Sequence, residues 1–185
     1  MDDDAGLGAE LAAVVAAARR RAVRDGDRQI DTAHLLHSLL EHDPEVRAAV
    51  GGPARLARLL GYLVQRSIGY GLRWQGGVED SGAIAVVPAP APLTTPALPS
   101  PRGGEARDGG SWSPVAAAAL AEARGRARRR GEGRVTGTDL FAALLTDPQS
   151  RAVEVLERAG IPARELPART EAGGGEYVGG GGATC

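Results

Sequence analysis

Lysine is absent from this sequence, and all 22 of its Lys or Arg positions are arginines. A Walker A loop needs a lysine to hold nucleotide phosphates, so its absence excludes a nucleotide-driven motor of the P-loop kind. The single cysteine is Cys185, which excludes an internal disulfide and a CxxC metal site. No apolar run approaches the roughly 18 residues of a membrane helix, and the opening Met1–Asp4 is acidic, unlike a signal peptide. We therefore expect a soluble, cytoplasmic chain that does not enter a membrane.

Aromatic residues are also scarce, at 3% of the chain, whereas alanine is abundant. The core is therefore expected to be aliphatic, with helices that approach one another closely. The formal net charge is −1, which gives no reason to expect a polyanionic partner such as nucleic acid. Roughly 130 residues look foldable, which is enough for a real hydrophobic core.

The chain contains an internal duplication with an offset of 105 residues, since residues 11–40 align with 116–145 at 12 identical positions of 30. Each copy has the same order of signals. An arginine-rich helix ends at a glycine (Gly26 or Gly131), and a β-branched residue (Ile30 or Val135) precedes a leucine-rich helix followed by Asp-Pro. Such a repeat decides the architecture before any single motif does.

The spacing of apolar residues predicts helices throughout both copies. In the first copy we expect helices near 8–24, 31–41, 44–50 and 53–68, with Leu36, Leu39 and Leu40 buried in the second. In the second copy Ser113 is a predicted N-cap, and Thr136 with Asp139 fits a capping box. Asp43-Pro44 and Asp147-Pro148 each predict a restart of the chain. The last helix of the second copy should be short, because little sequence remains before Pro167.

Between the copies the composition changes to proline and glycine, apart from a possible short strand at 83–87. We expect a first repeat at 1–71, a linker at 72–111, a second repeat at 112–171 and a disordered tail at 172–185. The predicted fold class is all-α, with two four-helix repeats in a pseudo-twofold arrangement and a shortened last helix in the second repeat.

This order of signals resembles the Clp N-terminal (Clp R) repeat, the domain that precedes the AAA+ motors of Clp ATPases. The family's leucine helix opens with a motif similar to IGTEHLL, matched here by IDTAHLL from Ile30 and more loosely by VTGTDLF from Val135. The family's repeat opener, an aromatic residue followed by Thr-Pro, is matched by Trp112-Ser113-Pro114 but not at Leu7. The resemblance covers roughly residues 8–71 and 112–166.

The resemblance implies a non-enzymatic docking module with no cofactor and no metal, which assists, competes with or protects a Clp unfoldase. The implied partners are a Clp ATPase, its adaptors or client proteins, or a cyclic-peptide antibiotic, bound by a monomer that stands alone without a motor. It also implies candidate partner-binding positions at Leu7, Ala33, Trp112, Ser113 and Thr138. In family members that bind phosphoarginine, a glutamate stands where this chain has Ala33 and Thr138. We therefore expect weak phosphoarginine binding.

Several features have competing interpretations. His34 and His37 lie three residues apart on one helical face, and His42 follows. Two such histidines could bind a metal, but the sequence supplies no remaining ligands, so a structural role is favoured. The arginine clusters at 19–24 and 124–130 are more typical of a solvated helix face than of a nucleic-acid site. Trp112 is predicted either to pack at the helix start or to face a partner. The alternative function is a helical DNA-binding regulator, because short helices with tight turns also suit helix-turn-helix proteins.

Overall fold

The computed structural model describes residues 7–67, 78–79 and 111–166, and these form an all-α fold. The first repeat contains α1 (Ala9–Asp25), α2 (Thr32–His42), α3 (Pro44–Val50) and α4 (Pro53–Ser67). The second repeat contains α5 (Pro114–Arg129), α6 (Gly137–Leu144), α7 (Arg151–Arg158) and a 3₁₀ turn (Ala163–Glu165). The predicted all-α class, the two repeats and the shortened last helix of the second repeat are confirmed.

Side-chain caps fix where several helices begin. The Asp31 carboxylate accepts the His34 amide hydrogen at 2.9 Å, and the Ser113 hydroxyl accepts that of Ala116 at 3.0 Å. Of these two caps, that of Ser113 was predicted from the sequence. Asp147-Pro148, by contrast, does not start a helix. Asp147 accepts the Gln149 amide hydrogen at 2.8 Å in a turn, and α7 begins later, with Ser150 as its cap.

Two short parallel contacts relate the repeats by the pseudo-twofold axis. Strand β1 (Gln29–Ile30) pairs with β2 (Ser111–Trp112), so that Ile30 lies opposite Trp112. Leu7 forms an isolated parallel bridge with Val135. The offset of 105 residues carries Leu7 onto Trp112 and Ile30 onto Val135. In each repeat, the segment that precedes the first helix therefore pairs with a segment of the other repeat, the one that precedes its leucine-rich helix.

Helix α2 is the centre of the core, because α1 and α3 to α7 all pack against it. Every residue from Thr32 to Leu40 is buried, including His34, His37 and Ser38. The predicted stripe of Leu36, Leu39 and Leu40 is confirmed, but neighbours on both sides bury the polar positions too. In α4 the buried face is narrow. Leu59 and Leu63 are buried, whereas Val64 is 49% exposed.

The second repeat closes its core without a full fourth helix. Ile161 and Leu166, which flank the 3₁₀ turn, are each 1% exposed. No helix in the described ranges combines the length and apolarity needed to cross a membrane. The predicted strand at 83–87 and the tail at 172–185 lie outside the described residues. So does the predicted linker, except for residues 78–79 and 111. The bounds of the four predicted segments therefore stay predictions.

Candidate binding site between the repeats

The N-termini of α2, α5 and α7 meet where the two repeats join, and they surround the carboxylate of Glu79. This residue belongs to the predicted linker, yet its side chain is only 4% exposed. One carboxylate oxygen accepts the Arg151 amide hydrogen at 2.8 Å and the Thr32 hydroxyl hydrogen. The other accepts the Thr32 amide hydrogen at 2.9 Å and the Ser113 hydroxyl hydrogen at 2.8 Å. We call these donors of Thr32, Ser113 and Arg151 the carboxylate pocket.

The two hydroxyl groups of the carboxylate pocket are oriented by other parts of the fold. The Ser113 hydroxyl accepts the Ala116 amide hydrogen, and the Thr32 hydroxyl accepts the Ala152 amide hydrogen, each at 3.0 Å. Because each oxygen already accepts a backbone hydrogen, its own hydrogen points at Glu79. The pocket therefore combines donors from both repeats with the positive ends of three helix dipoles, an arrangement suited to an anion.

A buried ion pair lies beside the carboxylate pocket. The Arg151 guanidinium donates to the Asp31 carboxylate at 2.6 Å, while the backbone amide of Arg151 donates to Glu79. Asp31 is also the N-cap of α2. Arg151 therefore connects the start of α7 in the second repeat to the start of α2 in the first.

A groove of about 560 Å³ opens next to the carboxylate pocket, with Thr32 on the wall of both. Small side chains of α5 form one side, the end of α6 and the turn that follows form the other, and Glu122 and Asp147 are its acidic residues. We call this the α5–α6 groove. Its volume lies within the range of ligand-binding clefts, about 300–1,000 Å³. The lining residues are Thr32, Val115, Ala118, Ala119, Glu122, Ala143, Leu144, Thr146, Asp147 and Pro148.

The five predicted partner-binding residues do not form one cluster. Ser113 is fully buried in the carboxylate pocket, and Ala33 is fully buried in the core. Leu7 and Trp112 are half-buried at the two pseudo-symmetric inter-repeat contacts. Thr138 is half-buried near the start of α6, where its hydroxyl lies 2.9 Å from that of Thr136. Their roles in partner binding stay predictions.

Trp112 was predicted either to pack at a helix start or to face a partner, and its half-buried ring has features of both. It packs against the core, and the Arg19 guanidinium lies 5.6 Å from the ring centroid in a cation–π contact. The first arginine cluster therefore contributes at least one side chain to an intrachain contact. Arg21 of the same cluster pairs with Glu41 at 2.6 Å.

The histidines of α2 make structural contacts. The Asp31 amide donates to Nδ1 of His34 at 3.1 Å, which completes the capping box of α2. Nε2 of His34 lies 3.2 Å from a carboxylate oxygen of Asp27. Ligand atoms of Asp27, Asp31 and His34 lie within 4.8 Å of one another, but those of Asp31 and His34 already form the helix cap and the ion pair with Arg151.

The pKa of His37 is lowered to about 4. Burial is the main cause and the nearby Arg21 charge the second, and both act against the charge of Glu41, which raises the pKa.

The sequence reasoning missed Glu79, Arg151 and the α5–α6 groove. Glu79 contacts residues 47, 34 and 72 positions away, and no local pattern marks such contacts. A glutamate in a glycine- and proline-rich stretch looks like an ordinary linker residue. Ser113 was predicted as a partner-binding residue from the Trp112-Ser113-Pro114 motif. Its hydroxyl donates to Glu79 in the carboxylate pocket and also accepts the Ala116 amide hydrogen as the cap of α5.

The sequence matches no family model and no curated protein. Solved structures do match. The N-terminal domain of Hsp104 from Candida albicans aligns with a TM-score of 0.62 and 13% identity, over 92% of this chain and 93% of that chain. The N-terminal domain of the caseinolytic protease associated chaperone ClpD from Arabidopsis thaliana aligns with a TM-score of 0.58 and 15% identity, over 90% and 92%. The chain has the fold of a Clp-type N-terminal domain.

A third similar structure comes from investigations of a malarial protein secretion system, with a TM-score of 0.58 and 15% identity, over 93% of this chain and 97% of that chain. All three alignments span nearly the whole of both chains, so the likeness includes both repeats of the Clp-type fold. At identities this low the likeness concerns the fold, and function requires its own argument.

Proposed function

We propose that the chain is a non-enzymatic docking module of the Clp system, which binds segments of client or adaptor proteins in the α5–α6 groove. The groove is the observation that carries this proposal. It has the volume of a ligand cleft, its walls are largely small or apolar, and it lies on a Clp-type N-terminal fold. A cyclic-peptide antibiotic is a second ligand of the same class, because it offers the same apolar side chains on a peptide backbone.

The chemistry of the groove favours a peptide. Ala118 and Ala119 carry only methyl groups, so a bound backbone can approach α5 closely. Thr146 and Asp147 supply polar groups that can orient the ligand. A few fixed polar groups on an apolar floor are the usual composition of a small-ligand or peptide cleft.

In this role the chain would act on a Clp unfoldase through shared clients. A docking module that holds a client segment either delivers it to the motor, competes with the motor's own N-terminal domain, or shields the motor from an antibiotic. All three follow from one binding event, and they differ in the direction in which client degradation changes.

The test compares two tryptophan substitutions on α5. Ala118 is exposed and lines the groove, so Ala118→Trp fills it from the outside with little change to the core. Ala117 is also exposed but does not line the groove, which makes Ala117→Trp a matched control. Fluorescein-labelled casein, an unfolded model client, serves as the probe in an anisotropy titration. We expect Ala118→Trp to weaken binding by about tenfold or more, as loss of a central contact region does, with Ala117→Trp unchanged.

Equal casein affinity for the wild type and Ala118→Trp would refute the groove as the docking site. Failure of the wild type to bind casein or a purified Clp ATPase, combined with retention of duplex DNA, would favour the alternative of a DNA-binding regulator. Adding the wild type to a Clp protease that degrades casein then separates delivery, which speeds degradation, from competition, which slows it.

A further inference from the structure

The carboxylate pocket has a ligand in place, the side chain of Glu79. We propose that this pocket is a binding site for an acidic side chain of a docked peptide, and that Glu79 is its built-in occupant. The inference rests on the proposed function, because it names the class of peptide that the groove would receive. That class is an extended segment with a glutamate or aspartate next to apolar residues.

The pocket is built to receive a carboxylate whether or not Glu79 is there. The Ser113 hydroxyl is held by the Ala116 amide, and the Thr32 hydroxyl is held by the Ala152 amide. The amides of Thr32 and Arg151 belong to the first residues of α2 and α7. All four donors are therefore positioned by helices of the core, and they would keep pointing at the same place if Glu79 withdrew.

The number and kind of the donors specify the ligand. Two donors converge on each of the two oxygens of Glu79, which matches the acceptor capacity of one carboxylate. All four donors are neutral, since the nearby Arg151 guanidinium donates to Asp31. The single negative charge is balanced by partial charges at three helix N-termini. A dianion such as phosphate would bring a second charge and a third oxygen into a closed pocket.

The pocket and the groove share one residue, Thr32, whose amide and hydroxyl donate to Glu79 and which also contributes to the groove wall. Val78, which precedes Glu79, is 61% exposed although Glu79 is buried. The chain therefore inserts one acidic side chain and leaves the preceding apolar side chain outside. A peptide bound in the same way would place its acid in the pocket and its neighbours in the groove.

Glu79 and such a peptide would compete for the same four donors. Glu79 belongs to the same chain as the pocket, so its contact is intramolecular, and a free peptide has to overcome this advantage by its concentration. The apparent affinity of a competing peptide equals its intrinsic affinity multiplied by the fraction of time that the pocket is free. Removal of Glu79 should therefore expose the site.

The probe is a synthetic peptide with the sequence of residues 74–84, which contains Glu79 and a tryptophan for detection. Its control is the same peptide carrying Glu79→Gln. Both are titrated by calorimetry into the wild-type chain and the Glu79→Ala chain. We expect Glu79→Ala to bind the acidic peptide at least about tenfold more tightly than the wild type does. The amide peptide should bind Glu79→Ala at least about tenfold more weakly than the acidic one, because its NH₂ group faces donors.

If Glu79→Ala fails to fold, the chain carrying Glu79→Gln replaces it, since the amide keeps the volume and weakens the self-contact. Sodium acetate and sodium phosphate provide a second readout by thermal shift. Acetate should raise the melting temperature of the emptied pocket and leave the wild type unchanged. A larger shift with phosphate than with acetate would overturn the assignment to a carboxylate.

Equal binding of the acidic and amide peptides, or no gain from removal of Glu79, would overturn the proposal even if casein still bound in the groove. Conversely, tight acidic-peptide binding by Glu79→Ala with no casein binding by any form would retain the pocket and refute the docking function. The two proposals therefore fail in different experiments.

Discussion

Asp139 offers a sharp test of the electrostatics, because its carboxylate is both a helix cap and an ion-pair partner. In α6 the Asp139 side chain completes the capping box with Thr136 and forms a two-pronged ion pair with Arg130. The offset of 105 residues carries Asp139 onto His34 and Arg130 onto Asp25. Nε2 of His34 lies 3.9 Å from an Asp25 carboxylate oxygen. The capping position is thus a carboxylate in the second repeat and an imidazole in the first, where Nδ1 accepts the Asp31 amide hydrogen.

Burial by itself would raise the pKa of Asp139, but hydrogen bonds from Arg130 and Thr136 together lower it below the ordinary value. A carboxyl group whose pKa is lower in the folded chain stabilises the fold above the unfolded-state pKa. That stabilisation is lost as the pH falls through the folded-state pKa. The contribution of Asp139 should therefore be complete above the unfolded-state pKa of about 3.9 and should decline as the pH falls through the lower folded-state pKa.

The substitution Asp139→Asn keeps the shape and an acceptor for the Thr136 amide, and it removes the charge that Arg130 contacts. A hydrogen bond to a charged group contributes about 1.5–3 kcal/mol. The Arg130 side chain is 41% exposed, so solvent screening reduces this contribution. We expect Asp139→Asn to lower the free energy of unfolding by about 1–2 kcal/mol near pH 7.

The assay is urea unfolding of both chains, followed by circular dichroism, at a series of pH values between about 7 and 3. Asp147→Asn is the matched control. Asp147 accepts the Gln149 amide hydrogen, which an asparagine oxygen can also do, so its effect should stay within about 0.5 kcal/mol. A difference between wild type and Asp139→Asn that persists unchanged at the acid end would refute the argument, since a protonated aspartate and an asparagine carry the same charge.

Three further predictions test other parts of the fold. Leu144→Ala should lower the free energy of unfolding by about 2–5 kcal/mol in urea titrations, because Leu144 is 1% exposed in the core, and an unchanged midpoint would mean that the core is placed wrongly. The folded-state pKa of His37 is about 4, so as the pH falls this histidine is protonated in the unfolded chain before it is protonated in the folded chain. Stability should therefore fall by up to about 3 kcal/mol as the pH drops from about 6.5 to 4, and a His37 ring signal titrating near 6.5 by NMR would contradict this. Thr138→Glu should strengthen the weak phosphoarginine binding that we expect of the wild type, measured by calorimetry, whereas Ala33→Glu should destabilise the chain because Ala33 is fully buried. Tight phosphoarginine binding by the wild type would show that the missing carboxylates are not required.

The helices and their ends were largely predictable, because the signals that set them lie within a few residues of one another. The Ser113 cap, the Thr136–Asp139 capping box and the buried stripe of α5 all follow from local spacing. The start of α7 was not predicted correctly. Asp-Pro can open a helix or a turn. At Asp147 it opens a turn, and Ser150 caps α7 instead.

The candidate site was less predictable than the fold. Motif comparison selected Ser113, which lies in the carboxylate pocket, but it also selected Ala33, which solvent cannot reach. Nothing in the local pattern selected Glu79, Arg151 or the α5–α6 groove. These residues act together only because three helix N-termini meet, and where helices meet is not encoded in the spacing of any one of them.

The sequence by itself determined the repeat, the helix order, the all-α class and the absence of the lysine that a P-loop motor needs. Each of these depends on residue type or on short-range periodicity, which are present in the unfolded chain. Tertiary structure alone decided that Glu79 leaves the predicted linker and enters a buried pocket. Four neutral donors from both repeats converge there, and a carboxylate is stable away from water only when such donors surround it.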